Sequence, residues 1–288
     1  MAFTSSRRRL AVLAAVLGLT LVAGGIAYAA ASPAIQTVTP VSANHMGNID
    51  VLRQQIRNYY GDPLGSGVFA SDSNYAKETS SVAAAGASYL ATQRHDLWWW
   101  NIESPGPKAI VLDVDDTTLA TWNYEVFSNW AYNPTTNATY VNGELFPAVP
   151  GMMQMVAQAA KEGYALFWIT GRPPSQAAVT LANLTTADVT GGISAGYLAP
   201  TDPDGSGPDT GLYTKPGAVA DYPTYLQTAC ASDPSGKCTT IHYKSATRAH
   251  IESLGYDIVA SFGDQYSDLI GGYADRTFKL PNPNYYLP

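Results

Sequence analysis

Three carboxylates and two hydroxyls close one short apolar run. Lys108-Ala109-Ile110-Val111-Leu112 leads into Asp113-Val114-Asp115-Asp116-Thr117-Thr118. Asp113 and Asp115 lie two residues apart, so both would point the same way on extended chain. Like charges that close repel unless a cation or a shared proton compensates. The spacing therefore points to a divalent metal site, or to a carboxylate pair with separate acid and base roles.

Two further apolar runs end in polar clusters. Tyr164–Thr170 ends on Thr170-Gly171-Arg172, and Asp257–Phe262 ends on Gly263-Asp264-Gln265-Tyr266-Ser267-Asp268. Lys244 lies just before Ser245, which is read as the N-cap of a helix whose inner face carries Thr247, His250, Ile251 and Leu254.

The elements that must position these groups follow from periodicity. Runs 109–115, 164–170 and 257–262 read as strands. Met152, Met155, Val156 and Ala159 read as one helix capped by Gly163, and Ala177, Leu181 and Leu184 as another opened by Pro173-Pro174. Strand and helix in alternation predict a parallel α/β sheet. Upstream, Ile49, Leu52, Ile56 and Tyr59 give one apolar helix face, and Tyr75–Gln93 gives a second helix. Together they form a helical lead-in, 47–100, to a domain spanning 47–288. Residues 119–149 read as aromatic loop and 190–240 as irregular, with a short strand at Gly211–Lys215. Trp98–Trp100 reads as packing.

The first residues carry Arg7-Arg8-Arg9, an uncharged apolar stretch from Leu10 to Ile26, and Ala27-Tyr28-Ala29. That is the pattern of a cleaved signal peptide, 1–31, the alternative being an uncleaved N-terminal anchor, with a flexible tether at 32–46. Ser6-Arg7-Arg8 also allows twin-arginine export, and no Cys stands near the cleavage site for lipid attachment. Cleavage would remove three Arg and no acids, taking the net charge from −7 to −10. So acidic a chain argues against binding nucleic-acid polymer, and nothing after the signal predicts stable membrane association. An exported chain lets Cys230 and Cys238 form a short-loop disulfide; His242 and His250 lack zinc spacing. Asp202–Gly207 matches half of a calcium loop, but Tyr213 stands where the closing Glu belongs.

The clusters, in order, resemble the haloacid dehalogenase superfamily of phosphotransferases. Asp113, Asp115 and Thr117 meet its DxDx[TV] motif, Thr170 its strand-ending Thr or Ser, Lys244 its lysine, and Gly263, Asp264 and Asp268 its GDxxxD. Tyr243-Lys244-x-x-x-Arg248 and the tail Phe278–Tyr286 are similar to the secreted acid phosphatase branch, which holds class B bacterial enzymes and plant vegetative storage proteins. Departures are Asp116-Thr117-Thr118, where relatives often have Glu-Thr-Leu, and the insertions near 200–210 and Cys230–Cys238.

The resemblance implies a Rossmann-like sheet with at most a small cap. It also implies a Mg2+-dependent, secreted phosphomonoesterase acting on a nucleotide, sugar or aryl phosphate. Asp113 would be nucleophile and Asp115 acid and base. Mg2+ would sit on Asp113, the backbone carbonyl of Asp115, and Asp264, with Asp268 behind. Thr170, Gly171 and Lys244 would bind phosphate; Thr117, Arg172 and Arg248 would support, and Asp116 would only cap. The alternatives are a phosphotransferase to alcohol acceptors and a non-catalytic storage or binding protein on the same fold.

Overall fold

The computed structural model of the chain describes residues 47–93, 106–187, 196–203, 211–231 and 238–287. The stretches read as signal peptide and tether, Trp98–Trp100 and most of the half-calcium loop lie outside them.

Five parallel strands form the sheet: β1 (Lys108–Leu112), β2 (Ala165–Ile169), β3 (Leu212–Tyr213), β4 (Asp257–Gly263) and β5 (Arg276–Lys279). Their order is β3-β2-β1-β4-β5. The three central strands are apolar almost throughout because a parallel sheet is covered on both faces. Side chains alternate between two cores. Ile110 and Leu112 join Leu166, Trp168 and Phe262 on one face. Ala109 and Val111 join Phe167, Ile169 and Ile258 on the other. A register shift between Ala109 and Ile110 separates the two halves of the β1–β4 ladder.

The helices are α1 (Ile49–Tyr59), α2 (Asn74–Gln93), α3 (Trp122–Ser128), α4 (Pro134–Asn142), α5 (Met152–Lys161), α6 (Ala177–Thr186), α7 (Thr224–Cys230) and α8 (Thr240–Ser253). Helices α2 and α5 cover the first face. Helix α2 comes close because Gly86 has no side chain: a Cβ there would stand 2.5 Å from the Phe262 ring. Helices α7 and α8 cover the second face through Leu226, Tyr243 and Ile251. Helix α5 ends as expected, with Gly163 at φ +91° and the Tyr164 N–H returning to the Ala159 carbonyl.

Several expectations are corrected. The stretch 119–149 is not loop: it holds α3 and α4, the latter capped by the Asn133 side chain, which accepts from the N–H groups of Thr135 and Thr136. The irregular region contains α7. On α1 only Ile56 is buried, while Ile49 and Leu52 stay exposed. Helix α8 starts six residues earlier than Ser245 implied, with Thr239 as its N-cap accepting the His242 N–H. Leu254 lies outward. Cys230 and Cys238 are disulfide-bonded, joining the end of α7 to the approach of α8.

Candidate active site

The C-terminal ends of β1, β2 and β4 lie side by side, since Leu112 pairs with Trp168 and with Phe262. Residues that follow these three strands emerge on one sheet edge, where open α/β sheets place ligands.

β1 stops at Leu112, although the Asp113 N–H still donates to the Phe262 carbonyl at 3.0 Å. The backbone winds into a turn held by the Val114 carbonyl, which accepts from Thr118 and Leu119, and passes through Asp116 at φ +52°. The two carboxylates therefore part. Asp113 is buried and meets Lys244 from α8, whose Nζ donates to Asp113 Oδ1 at 2.5 Å. The same Nζ donates to Asp268 Oδ1. Asp115, about a third exposed, is held by Arg172: Nε donates to Oδ2 at 3.0 Å and Nη2 to Oδ1 at 2.6 Å. Arg172 is itself anchored, donating from Nη1 to Thr180 Oγ1 at 3.0 Å and lying over the Phe146 ring.

Asp264 is buried and clamped. Its Oδ2 accepts from Gln265 Nε2 at 2.6 Å and Asn282 Nδ2 at 2.7 Å, while Oδ1 accepts from the Thr117 hydroxyl at 3.2 Å. Asp268 closes the cluster. Its Oδ2 accepts the Gln265 N–H at 2.8 Å. Gly263 is required beside it, because a Cβ there would lie 2.2 Å from Asp268 Cβ. Asp116 accepts from the N–H and hydroxyl of Thr121 at 2.9 and 2.6 Å, fixing the residue before α3.

Burial dominates the electrostatics. It pushes the Asp113 carboxyl well up, against the opposing pull of Lys244. Burial, then the charges of Asp268 and Asp116, push Asp264 up to about 7. Asp116 rises to about 6 by burial, despite the hydrogen bonds of Thr121. Burial also lowers the ammonium affinity of Lys244 for its proton, but Asp113 and Asp268 outweigh this and hold it raised. Asp113, Asp264 and Asp268 each offer an oxygen within 4.8 Å of the others. Three buried carboxylates against one lysine are an under-compensated, all-oxygen donor set, which suits a hard divalent cation. Both oxygens of Asp264 and both of Asp268 already accept hydrogen bonds, Asp268 Oδ1 from the Lys244 ammonium itself.

Thr170 ends β2 and is buried, its Oγ1 accepting the Arg172 N–H at 3.2 Å. Gly171 beside it is exposed, with open space where a Cβ would go. Arg248 does not reach the acids. Its guanidinium donates to the carbonyls of Asp268, Ile270 and Gly272, bracing the loop after β4. His250 stacks on Tyr225 at 4.2 Å, away from the cluster. Trp122 and Phe146 are buried packing residues, Trp122 stacking on Tyr60. Three participants escaped the sequence reading. Gln265 and Asn282 grip Asp264, and Glu125 of α3 is buried, its carboxyl raised to about 8 by burial and then by the charges of Asp116 and Asp115. For Asn282 a signal existed in the Pro-Asn-Pro-Asn tail.

The sequence model of a family described as HAD superfamily, subfamily IIIB (acid phosphatase), matches residues 20–206 and 220–288. The chain is 30% identical over 182 residues to the stem 28 kDa glycoprotein of Glycine max, covering 62% of this chain and 59% of that one. Acid phosphatase 1 of Solanum lycopersicum is 28% identical over 186 residues, covering 62% and 58%. Vegetative storage protein 1 of Arabidopsis thaliana is 27% identical over 182 residues, covering 62% and 55%. The matched part thus spans less than two thirds of these relatives' own length. A solved class C acid phosphatase from Bacillus anthracis, with tungstate bound, shares the fold. Its TM-score is 0.55 at 18% identity, covering 82% of this chain and 86% of that one.

Proposed function

The chain belongs to the subfamily IIIB acid phosphatases of the HAD superfamily, and on that premise we propose that it hydrolyses phosphate monoesters through an aspartyl-phosphate on Asp113. One observation carries the reading: Lys244 joins Asp113 to Asp268 at the strand edge that also presents Thr170 and Asp264.

Asp113 attacks phosphorus, a P–O bond to Asp113 forms, and the ester P–O bond breaks. The departing oxygen takes its proton from Asp115. Asp115 then removes a proton from water, whose oxygen attacks the same phosphorus and returns Asp113 as a carboxylate with phosphate released. Both oxygens of Asp115 are forked by Arg172 in the resting arrangement, so one must come free for proton transfer. Asp115 is the partner that turns, its side chain being 31% exposed against 4% for the anchored Arg172. Lys244 and the Thr170 hydroxyl, with the N–H groups of the turns after β1 and β2, hold the equatorial oxygens. Mg2+, on Asp113, Asp264 and the Asp115 carbonyl, would keep the acids ionised and balance phosphoryl charge. Asp268 sets Lys244 in place, and Asp116 pins the entry to α3.

The substrate class is a small nucleotide, sugar or aryl phosphate, and the N-terminal pattern together with the plant relatives supports an exported protein. Among the described residues no helix is long and apolar enough to cross a membrane. The test is release of p-nitrophenol from p-nitrophenyl phosphate by wild type and Asp113→Asn, with and without chelator. Turnover that survives in Asp113→Asn would refute the mechanism. A storage role is the second reading, because two relatives bear the name vegetative storage protein. A folded, cation-binding wild type that turns over no phosphate ester would favour it.

A further inference from the structure

We propose that the C-terminal tail after β5 is a working wall of this site, with Asn282 the residue that positions Asp264 for the cation. The inference rests on the cation-dependent reading above.

Beyond β5 the chain does not leave the fold. The Leu280 N–H still donates to the Gly263 carbonyl at 2.9 Å, which delivers the next residues over the acids. Asn282 Nδ2 donates to Asp264 Oδ2 at 2.7 Å and makes a longer, 3.5 Å contact with Asp116 Oδ2. Its own Oδ1 accepts the Asn284 N–H at 2.8 Å, so the amide is fixed at both ends. Gln265 is drawn in too: its Oε1 accepts the Leu287 N–H at 3.0 Å while its Nε2 serves Asp264. The outer anchor is Asn284, which donates to the Tyr60 hydroxyl at 2.8 Å and accepts from Trp130 Nε1 at 3.2 Å.

The effect on Asp264 is directional. Two amide N–H groups fill Oδ2, whereas Oδ1 meets a single hydroxyl. A carboxylate oxygen has about two acceptor sites, so Oδ1 is the oxygen left for a cation. Without Asn282 the carboxylate could rotate and present either oxygen. Outer partners of this kind typically change metal affinity by about 10–100-fold.

Calorimetric Mg2+ titration of the full chain tests this without reference to turnover. Asn282→Ala should weaken binding by about 10–100-fold, with the circular dichroism spectrum of wild type. Asn284→Ala, which keeps the Asn282 side chain but releases the tail from Tyr60 and Trp130, should weaken binding less, in the same direction. Wild-type affinity in Asn282→Ala, or in Asn284→Ala if the first variant does not fold, overturns the proposal. If the variants bind like wild type while wild type hydrolyses phosphate esters, only the tail's role falls. If wild type binds Mg2+ without hydrolysing esters and Asn282→Ala binds weakly, the tail's role stands and the phosphatase reading falls. A wild type that binds no Mg2+ overturns both.

Discussion

Stripped of cation, this protein should lose stability as pH rises through neutrality. Asp264 has its carboxyl moved from an ordinary 3.8 to about 7. Asp116 moves from 3.8 to about 6, and Glu125 from 4.5 to about 8. A carboxyl raised in the folded state binds its proton more tightly there than in the unfolded chain. The stability this gives is complete below the unfolded value and is lost as pH climbs through the folded one. The window therefore runs from about pH 4 to about pH 8. Asp264 alone spans roughly three tenfold steps of proton affinity at about 1.4 kcal/mol each, or ~4 kcal/mol. The acids share neighbours and do not add, so Asp264 sets the scale. At ~2–4 °C per kcal/mol for a chain of this size, the melting temperature should fall by ~8–16 °C. The assay is a thermal melt followed by circular dichroism on chelator-treated protein, from about pH 4.5 to about pH 8. Mg2+ at ~100 times its Kd should return ~2.7 kcal/mol at the upper end, because it binds the ionised acids. Asp264→Asn should flatten the chelated profile. A chelated wild type that melts at the same or a higher temperature at pH 8 than at pH 4.5 would refute the electrostatic argument.

Gly263→Ala places a methyl 2.2 Å from Asp268 Cβ and 2.5 Å from its Oδ2. It should cost ~1–3 kcal/mol in denaturant unfolding and depress kcat by displacing the acid that seats Lys244. Arg172→Lys keeps the charge but loses the fork on Asp115; kcat/KM should drop ~10–100-fold, read by steady-state kinetics. Lys244→Met leaves Asp113 and Asp268 facing each other without their shared cation. Activity should fall by roughly 10²–10³, and cation-free stability at neutral pH by ~3–5 kcal/mol, measured in urea.

The centre of the sheet was readable because β1, β2 and β4 are covered on both faces and so carry unbroken apolar runs. β5 was not, since of its four residues only Phe278 is buried. Helices α3 and α4 escaped because they are short and set by local devices, such as the Asn133 cap, rather than by apolar periodicity. On α1 the periodicity was real but only Ile56 found a partner surface. The acids and Lys244 were legible because their chemistry fixes residue type and spacing together. Gln265 and Asn282 were not: an amide donor can come from any direction along the chain. Arg172 was expected near phosphate, but its fork on Asp115 depends on the turn after β1, which no spacing reveals. Arg248 shared a motif with Lys244 on α8, yet its length carries it past the acids to backbone carbonyls.

Among the described residues the sheet ends in two modest borders. β3 is two residues long, and β5 is four, with Arg276 and Lys279 exposed. Arg276 lies over the rings of Tyr89 and Phe278 at 4.9 and 5.1 Å, so its charge is held along that border. Short edges present few free backbone groups in a row, and charge on an edge further deters strand-to-strand joining between molecules. Both borders therefore resist templated aggregation, so that a crowded solution of this protein gains no continuous β-ribbon through the sheet that carries its chemistry.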